Sequence, residues 1–273
     1  MPTEIDVYSC LEAIDEASDL LATEIQALSA EAWNGPTNCP PWRVSDLAGH
    51  VVDSGQRFSA SIRNGLAGSV DPPPAGPDVR LTGMAAVAQR SPSMAARALR
   101  DVTQEFASLY AGLDEAALAA VCYHRRGNRP VRWYAAHRLV EVALHSWDLQ
   151  LSLQREPLLP EHVAALVLPT LLESNAPLMY ELGLGQQRGH GERYLLVVDA
   201  DPGARWSMTF YPSQLVTVRE DSQGDVTVTG SAADLVLLVY GRRDLSTLSE
   251  SGRLSLHGDR SLADHLPLLL PKP

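Results

Sequence analysis

Glu141 and His145 stand four residues apart in Arg138-Leu-Val-Glu141-Val-Ala-Leu-His145-Ser-Trp147-Asp148. On a helix, the 3.6-residue repeat puts both side chains on one face, where a carboxylate and an imidazole can share a metal ion. Pairs at that spacing are also frequent on solvated faces, where they only support one another electrostatically. Here the neighbours Leu139, Val140, Val142, Ala143, Leu144 and Leu149 are apolar, and burying a carboxylate unpaired among them would be costly. A third ligand is available in Ser45-Asp-Leu47-Ala-Gly-His50-Val51-Val52, where one imidazole interrupts another apolar, helix-patterned segment. Two His and one Glu would leave one position of a divalent ion open for chemistry. Arg138, one turn before Glu141, and Asp148, one turn after His145, are placed to orient those ligands. Non-haem iron oxygenases use the same ligand types, but the helical setting ranks that reading lower.

The elements that must hold these side chains follow from apolar spacing. Val7, Leu11, Ile14, Ser18, Leu21, Ile25 and Leu28 predict a long helix ending near Ala30. After the breaker-rich Asn34 to Pro41, Ser45 as N-cap and Asp46 in the first turn predict the helix that carries His50. Val70-Asp-Pro-Pro-Pro-Ala-Gly-Pro-Asp78 is expected to be loop throughout. Ser91-Pro92 opens a third helix with Met94, Ala98, Val102, Phe106 and Leu109 as its apolar stripe, closed by Gly112. Gly127-Asn-Arg-Pro130 is a turn into a fourth helix, which holds Glu141 and His145 and runs to about Leu151. Four such helices suggest an antiparallel bundle, whose core is a common place for a metal site.

Beyond Pro157 one more helix, 161–181, precedes short β-rich runs at Tyr194–Val198, Trp206–Phe210, Leu215–Val218 and Val226–Thr229. A helix at 231–241, a strand at Leu254–His257 and a helix at 260–270 complete the chain. The fold class is therefore α+β: a four-helix bundle over 1–155, a connecting helix and linker over 156–190, and a small α+β domain over 191–273.

The 273 residues are long enough for two cores, and 45% hydrophobic with 20% charged residues is ordinary for a globular protein. A net charge of -11 offers no basic face for a phosphate backbone, which argues against nucleic acid as partner. The acidic N-terminus lacks the order of a signal peptide and no apolar run is expected to span a membrane, so a cytoplasmic protein is predicted. Cys10, Cys39 and Cys122 are far apart and form no Cys-x-x-Cys pair, and all three are expected to be buried structural thiols. His124, His137, His162, His190, His257 and His265 match no motif.

Trp42-Arg-Val-Ser-Asp-Leu47-Ala-Gly-His50, taken with Arg138-x-x-Glu141-x-x-x-His145-x-Trp147-Asp148, resembles the mycothiol-dependent maleylpyruvate isomerase family, a branch of the DinB-like four-helix bundles. Val228-Thr-Gly230-Ser-Ala-Ala-Asp234-Leu-Val-Leu-Leu-Val-Tyr-Gly241-Arg242 resembles the sterol-carrier-like C-terminal domain of many members. The resemblance implies a divalent metal, zinc being expected, on His50, Glu141 and His145, with water or the thiol cosubstrate mycothiol at the open position. It also implies a small electrophile as substrate, with either thiol-dependent cis–trans isomerisation or thiol S-transfer as the outcome. An anionic substrate or thiol would need arginine contacts. Arg205, Arg219 and Arg242 are the candidates, with Arg219 assigned the catalytic contact and Trp42 and Arg242 assigned to cofactor binding. The apolar segments Leu235–Tyr240 and Leu266–Leu270 leave a second reading open, a non-catalytic small-molecule carrier.

Overall fold

In a computed structural model, residues 5–73, 77–219 and 224–270 are described, with the side chains of 77–82 left aside. The chain divides into two compact units, Ile5–Leu159 and a second one from Pro160 onward.

The first unit is built on α1 (Val7–Gln26), α3 (Val44–Leu66), α5 (Pro92–Ser108) and α7 (Val131–Ser152), with α1 packed on α5 and α7, and α3 packed on α5 and α7. Leu21, Ile25, Leu47, Val51, Leu99, Val102, Val142 and Leu149 share its core, all nearly or wholly out of solvent, and burial of this kind stabilises by roughly 1.5–3 kcal/mol per large side chain. The α1 helix stops at Gln26, because Ser29 caps a separate short helix α2 (Ala30–Trp33) by accepting the Ala32 N–H at 3.1 Å. The α3 N-cap is Arg43, two residues before the predicted Ser45, and the Asp46 carboxylate accepts the Arg43 N–H at 2.9 Å.

Two expectations need correction in this unit. The loop predicted for 70–78 gives way at Pro77 to a further helix, α4 (Pro77–Ala88), which packs against α3 and for which no element was predicted beyond residue 78; Pro77 opens it at a position that needs no N–H donor, and residues 74–76 of the predicted loop lie outside the described part. The α5 stripe is displaced from the predicted one: Ala95, Leu99, Val102 and Phe106 are buried and Met94 is 57% exposed. Helix α5 ends at Ser108, and Gly112, in the turn beyond, has φ +72°. A short helix α6 (Glu115–Leu118) and a hairpin of β1 (Val121–Cys122) and β2 (Arg129–Pro130) then lead into α7.

The second unit opens with a single helical run in three parts: α8 (Glu161–Thr170), a π-helical turn (Leu171–Asn175) and α9 (Ala176–Glu181). Pro169 removes a ladder donor within α8, and the wider turn that follows absorbs the lost register. This run corrects the expectation about apolar length: Glu161–Glu181 has an 18-residue window of mean hydropathy 1.2, enough by length and composition to cross a membrane. That window is 61% buried inside the fold, as the core helix of a globular unit would be. The sheet has the order β5 (Leu215–Arg219), β4 (Arg205–Phe210), β3 (Glu192–Val198), β6 (Val226–Gly230) and β7 (Leu254–Gly258). Among the described strands only β3 and β6 run parallel, with Leu196 opposite Val228 on one side and Trp206 on the other. Helix α10 (Ala232–Val239) packs on α8, a short α11 (Leu245–Glu250) was not foreseen, and α12 (Arg260–Leu269) lies against β6 and β7. The whole is α+β, a helical unit followed by one with a sheet.

Candidate metal centre

Helices α3 and α7 bring the three predicted ligands together. His50 Nε2 lies 2.8 Å from Glu141 Oε2, and His145 Nε2 lies 3.8 Å from the same oxygen. One ligand atom from each of the three residues falls within 4.8 Å of the others. Tetrahedral bonds of about 2.0–2.1 Å put ligand atoms roughly 3.3 Å apart, so the observed separations bracket what a zinc-like ion needs. The donor set, two imidazole nitrogens and one carboxylate oxygen, also suits such an ion.

The His145 tautomer is set from behind. Its Nδ1 is 3.0 Å from Asp148 Oδ2, and a proton shared there leaves Nε2 with its lone pair directed at Glu141 and His50. Asp148 is wholly buried, and it accepts from Asn38 Nδ2 at 3.0 Å and from Cys39 Sγ at 3.3 Å. Cys39, His145 and Asp148 also form a metal-competent triplet. Because that triplet engages the Nδ1 of His145 through a carboxylate already occupied by three donors, we assign it to the support of the first group. Trp42 covers the imidazoles, its ring centroid 4.8 Å from that of His50 and 6.0 Å from that of His145. Trp147 is a core residue, 2% exposed.

Arg138 does a different job from the one expected of it. Its side chain is wholly buried and turned toward α3, where Nη1 donates to Val51 O at 2.6 Å and to Ser54 Oγ at 3.1 Å. It therefore ties α7 to α3 directly beside the centre. Burial pushes its guanidinium down to about 10, against the pull of Glu141. Gly55 makes room for the guanidinium: a Cβ there would sit 3.0 Å from its central carbon. Gly49, next to His50, serves α4 in the same way, since a Cβ would meet Met84 O at 2.5 Å.

One histidine at the centre was missed. His137 Nε2 lies 3.7 Å from Glu141 Oε1, the oxygen opposite the one that faces His50. The signal was present, because His137, Glu141 and His145 are spaced four and four along α7. Burial pushes His137 down to about 4 despite the nearby Glu141 charge. For Glu141 itself burial acts upward, but the His50 hydrogen bond and the charges of His50, His137 and His145 outweigh it and hold the carboxyl well below its ordinary range.

Cys39 departs from the expected buried thiol: it is partly exposed and stands beside Asp148. Cys10 and Cys122 are buried, which pushes their thiols up to about 12 and about 11. The predicted arginines have places within the second unit. Arg219, at the end of β5, holds its guanidinium 5.7 Å over the Trp206 ring; Arg242 donates from Nη1 to Tyr240 O at 3.2 Å; Arg205 starts β4.

Comparison with known proteins gives a consistent family. The profile of the mycothiol maleylpyruvate isomerase N-terminal domain matches residues 14–150, and that of the SCP-2 sterol transfer family matches residues 185–270. Among solved structures, the mycothiol-dependent maleylpyruvate isomerase superposes with a TM-score of 0.63 at 17% identity, over 88% of this chain and 90% of that one. A point mutant of the same enzyme superposes with a TM-score of 0.64 at 16% identity, over 92% and 93%. At such identities the superpositions establish the shared fold. A comparison with curated protein sequences finds no match. The chain belongs to the mycothiol maleylpyruvate isomerase family, with an N-terminal domain of that type followed by an SCP-2 domain.

Proposed function

We propose that this chain is a metal-dependent cytoplasmic enzyme that activates mycothiol for attack on a small electrophile, as an isomerase of maleylpyruvate-type substrates. Thiol S-transfer is the other outcome of the same first step. The observation that carries the reading is the convergence of His50, Glu141 and His145 on one locus, in a family whose solved relative is a mycothiol-dependent isomerase.

A divalent ion held by these residues, zinc being the expected one, lowers the pKa of a thiol that reaches it, where a thiol of pKa near 8.5 alone is only a few per cent ionised at neutral pH. The chain's own residues do the rest. Asp148 fixes His145 in the tautomer that presents Nε2. Trp42 covers the imidazoles against water. Arg138 holds α7 in register with α3, so that His50 meets Glu141. No protein thiol is needed as nucleophile, and Cys10 and Cys122 are too buried and too weakly acidic to serve. Addition of the thiol sulfur to the activated double bond leaves a single bond that can rotate, and expulsion of the thiol then returns the trans alkene with the thiol unchanged. Where the addition adduct is kept, or where the attacked carbon bears a leaving group that departs with its bonding pair as the C–S bond forms, the reaction is S-transfer.

The carrier reading has one observation in its favour, the SCP-2 match. Against it, Leu235, Leu238, Tyr240, Leu266, Leu269 and Leu270 are all buried in the core of the second unit. The space bounded by Leu238, Leu245, Pro267 and Leu270 is about 10 Å³, room for one water and not for a lipid. Incubation with mycothiol and maleylpyruvate decides the matter. Isomerisation that requires the thiol and stops on chelation is expected, with S-transfer read as an accumulating adduct by mass; no acceleration with any electrophile would leave only the carrier.

A further inference from the structure

Helix α3 starts without the side-chain acceptor that a helix start ordinarily has. Its N-cap is Arg43, whose side chain makes no capping hydrogen bond, because a guanidinium carries donors only. The Val44 N–H is met by Gly35 O at 3.0 Å, and the Asp46 and Leu47 N–H groups turn back on Arg43 O, each at 3.0 Å. The Ser45 N–H has no acceptor among the described residues. The Ser45 hydroxyl likewise has no hydrogen-bond partner among them, although the residue is only 5% exposed.

That first turn is one wall of an open cleft of about 560 Å³, whose lining includes Trp33, Arg43, Ser45, Asp46, Gln89 and Arg90. Ser45 is buried on its other sides, so the cleft is the side on which its hydroxyl can be met. Three elements meet there: the end of α2, the start of α3 and the end of α4. The floor is fixed, since Trp33, Val44, Leu47 and Val87 belong to the core of the bundle and a bridge between Pro36 and Arg43 locks the segment after α2 to the start of α3. The rim carries two guanidiniums, Arg43 and Arg90, both exposed and neither paired with a carboxylate among the described residues. Asp46 is the acid of the lining, and its carboxylate is turned to the Arg43 N–H at 2.9 Å. Two arginines against one aspartate leave the cleft cationic in a chain of net charge -11.

The start of a 23-residue helix offers an amide donor and the positive end of its dipole, Ser45 adds a hydroxyl, and the guanidiniums close from α3 and from beyond α4. A phosphate group, with three oxygens to receive donors from different directions, matches that set better than a planar carboxylate does. The cleft is larger than the phosphate alone and has the size of a small-molecule site. We propose that the cleft at the start of α3 binds the phosphate group of a small phosphorylated metabolite, with Ser45 at its base and Arg43 and Arg90 as its clamp. The site goes beyond the proposed reaction and does not rest on it, because it shares helix α3 with the metal centre but none of the three ligands.

The probe is inorganic phosphate, titrated by NMR into the isotope-labelled full-length protein against chloride at equal ionic strength, before and after chelation. Saturable shifts of the Ser45 and Asp46 amides are expected with phosphate alone, and chelation should leave them unchanged. Arg90→Gln should weaken binding about tenfold, the loss of one charged hydrogen bond, and Ser45→Ala should weaken it less. Arg43→Ser supplies α3 with a side-chain acceptor for its first turn. That variant should weaken phosphate binding while raising the thermal midpoint, so its loss of binding is not a loss of fold. Arg97→Gln, at an exposed arginine of α5, should bind phosphate as the parent does. No saturable shift, shifts that chloride reproduces or that vanish on chelation, or binding that survives both Arg43→Ser and Arg90→Gln would overturn the site.

Discussion

At the residue scale, the centre depends on side chains that hold other side chains. Asp148 accepts from Asn38, Cys39 and His145 at once, so Asp148→Asn keeps the shape while removing the charge that favours a fixed His145 tautomer. Metal affinity should fall about 10–100-fold, measured by competition with a chromophoric chelator, with the fold intact by circular dichroism. An unchanged affinity would mean that Asp148 serves packing alone. His124 gives a pH prediction. Its folded pKa, about 3, lies below the ordinary value of 6.5, so as pH falls below 6.5 the unfolded chain takes up a proton that the folded one refuses. Stability should fall from pH 6.5 toward pH 3, by at most about 1.4 kcal/mol per pH unit from this group. Urea midpoints at pH 7 and pH 5 should differ less in His124→Asn than in the parent, and equal differences would contradict the assignment. Glu141 and His145 were legible in the sequence because one helix repeat sets their relation. His137 obeyed the same repeat and was passed over for want of a motif. Asn38 and Cys39 could not be found that way, because a loop with no period delivers them to Asp148.

At the element scale, α3 and α7 must approach closely for His50 to meet Glu141, and α4 must lie against α3. Gly49 permits the second approach, with Met84 O at 2.5 Å from a would-be Cβ. Gly49→Ala should cost roughly 1–3 kcal/mol in urea unfolding, because the obstacle is backbone and cannot swing aside. A midpoint within error of the parent would show that α4 is free to shift. The long bundle helices and the strands of the sheet were readable because their apolar periods run over enough residues to average out exceptions. What failed were elements whose signal is short or contradictory: α4 follows a proline-rich run, α11 has six residues, and the π turn arises from Pro169, a residue that reads as a breaker.

At the scale of the whole molecule, the three candidate ligands, Asp148 and Arg138 all fall within Ile5–Leu159, one of the two compact units. A fragment ending at Leu159 should therefore fold cooperatively and bind metal within about tenfold of the full chain, since the metal contributes its binding energy only to the unit that holds its ligands. A fragment that folds yet binds no metal would show that residues beyond 159 complete the site. In the sequence, long helical periods give way to short β-rich runs beyond residue 190, and the helix read at 161–181 was not weighed for its apolar length.

The proposed chemistry requires that His50, Glu141 and His145 hold one ion. Metal analysis of protein purified without a polyhistidine tag should give about one divalent ion per chain, and His50→Ala and His145→Ala should each abolish it while the chain stays folded. Metal content equal to the parent's in both variants, or none in the parent after supplementation with zinc, would contradict it.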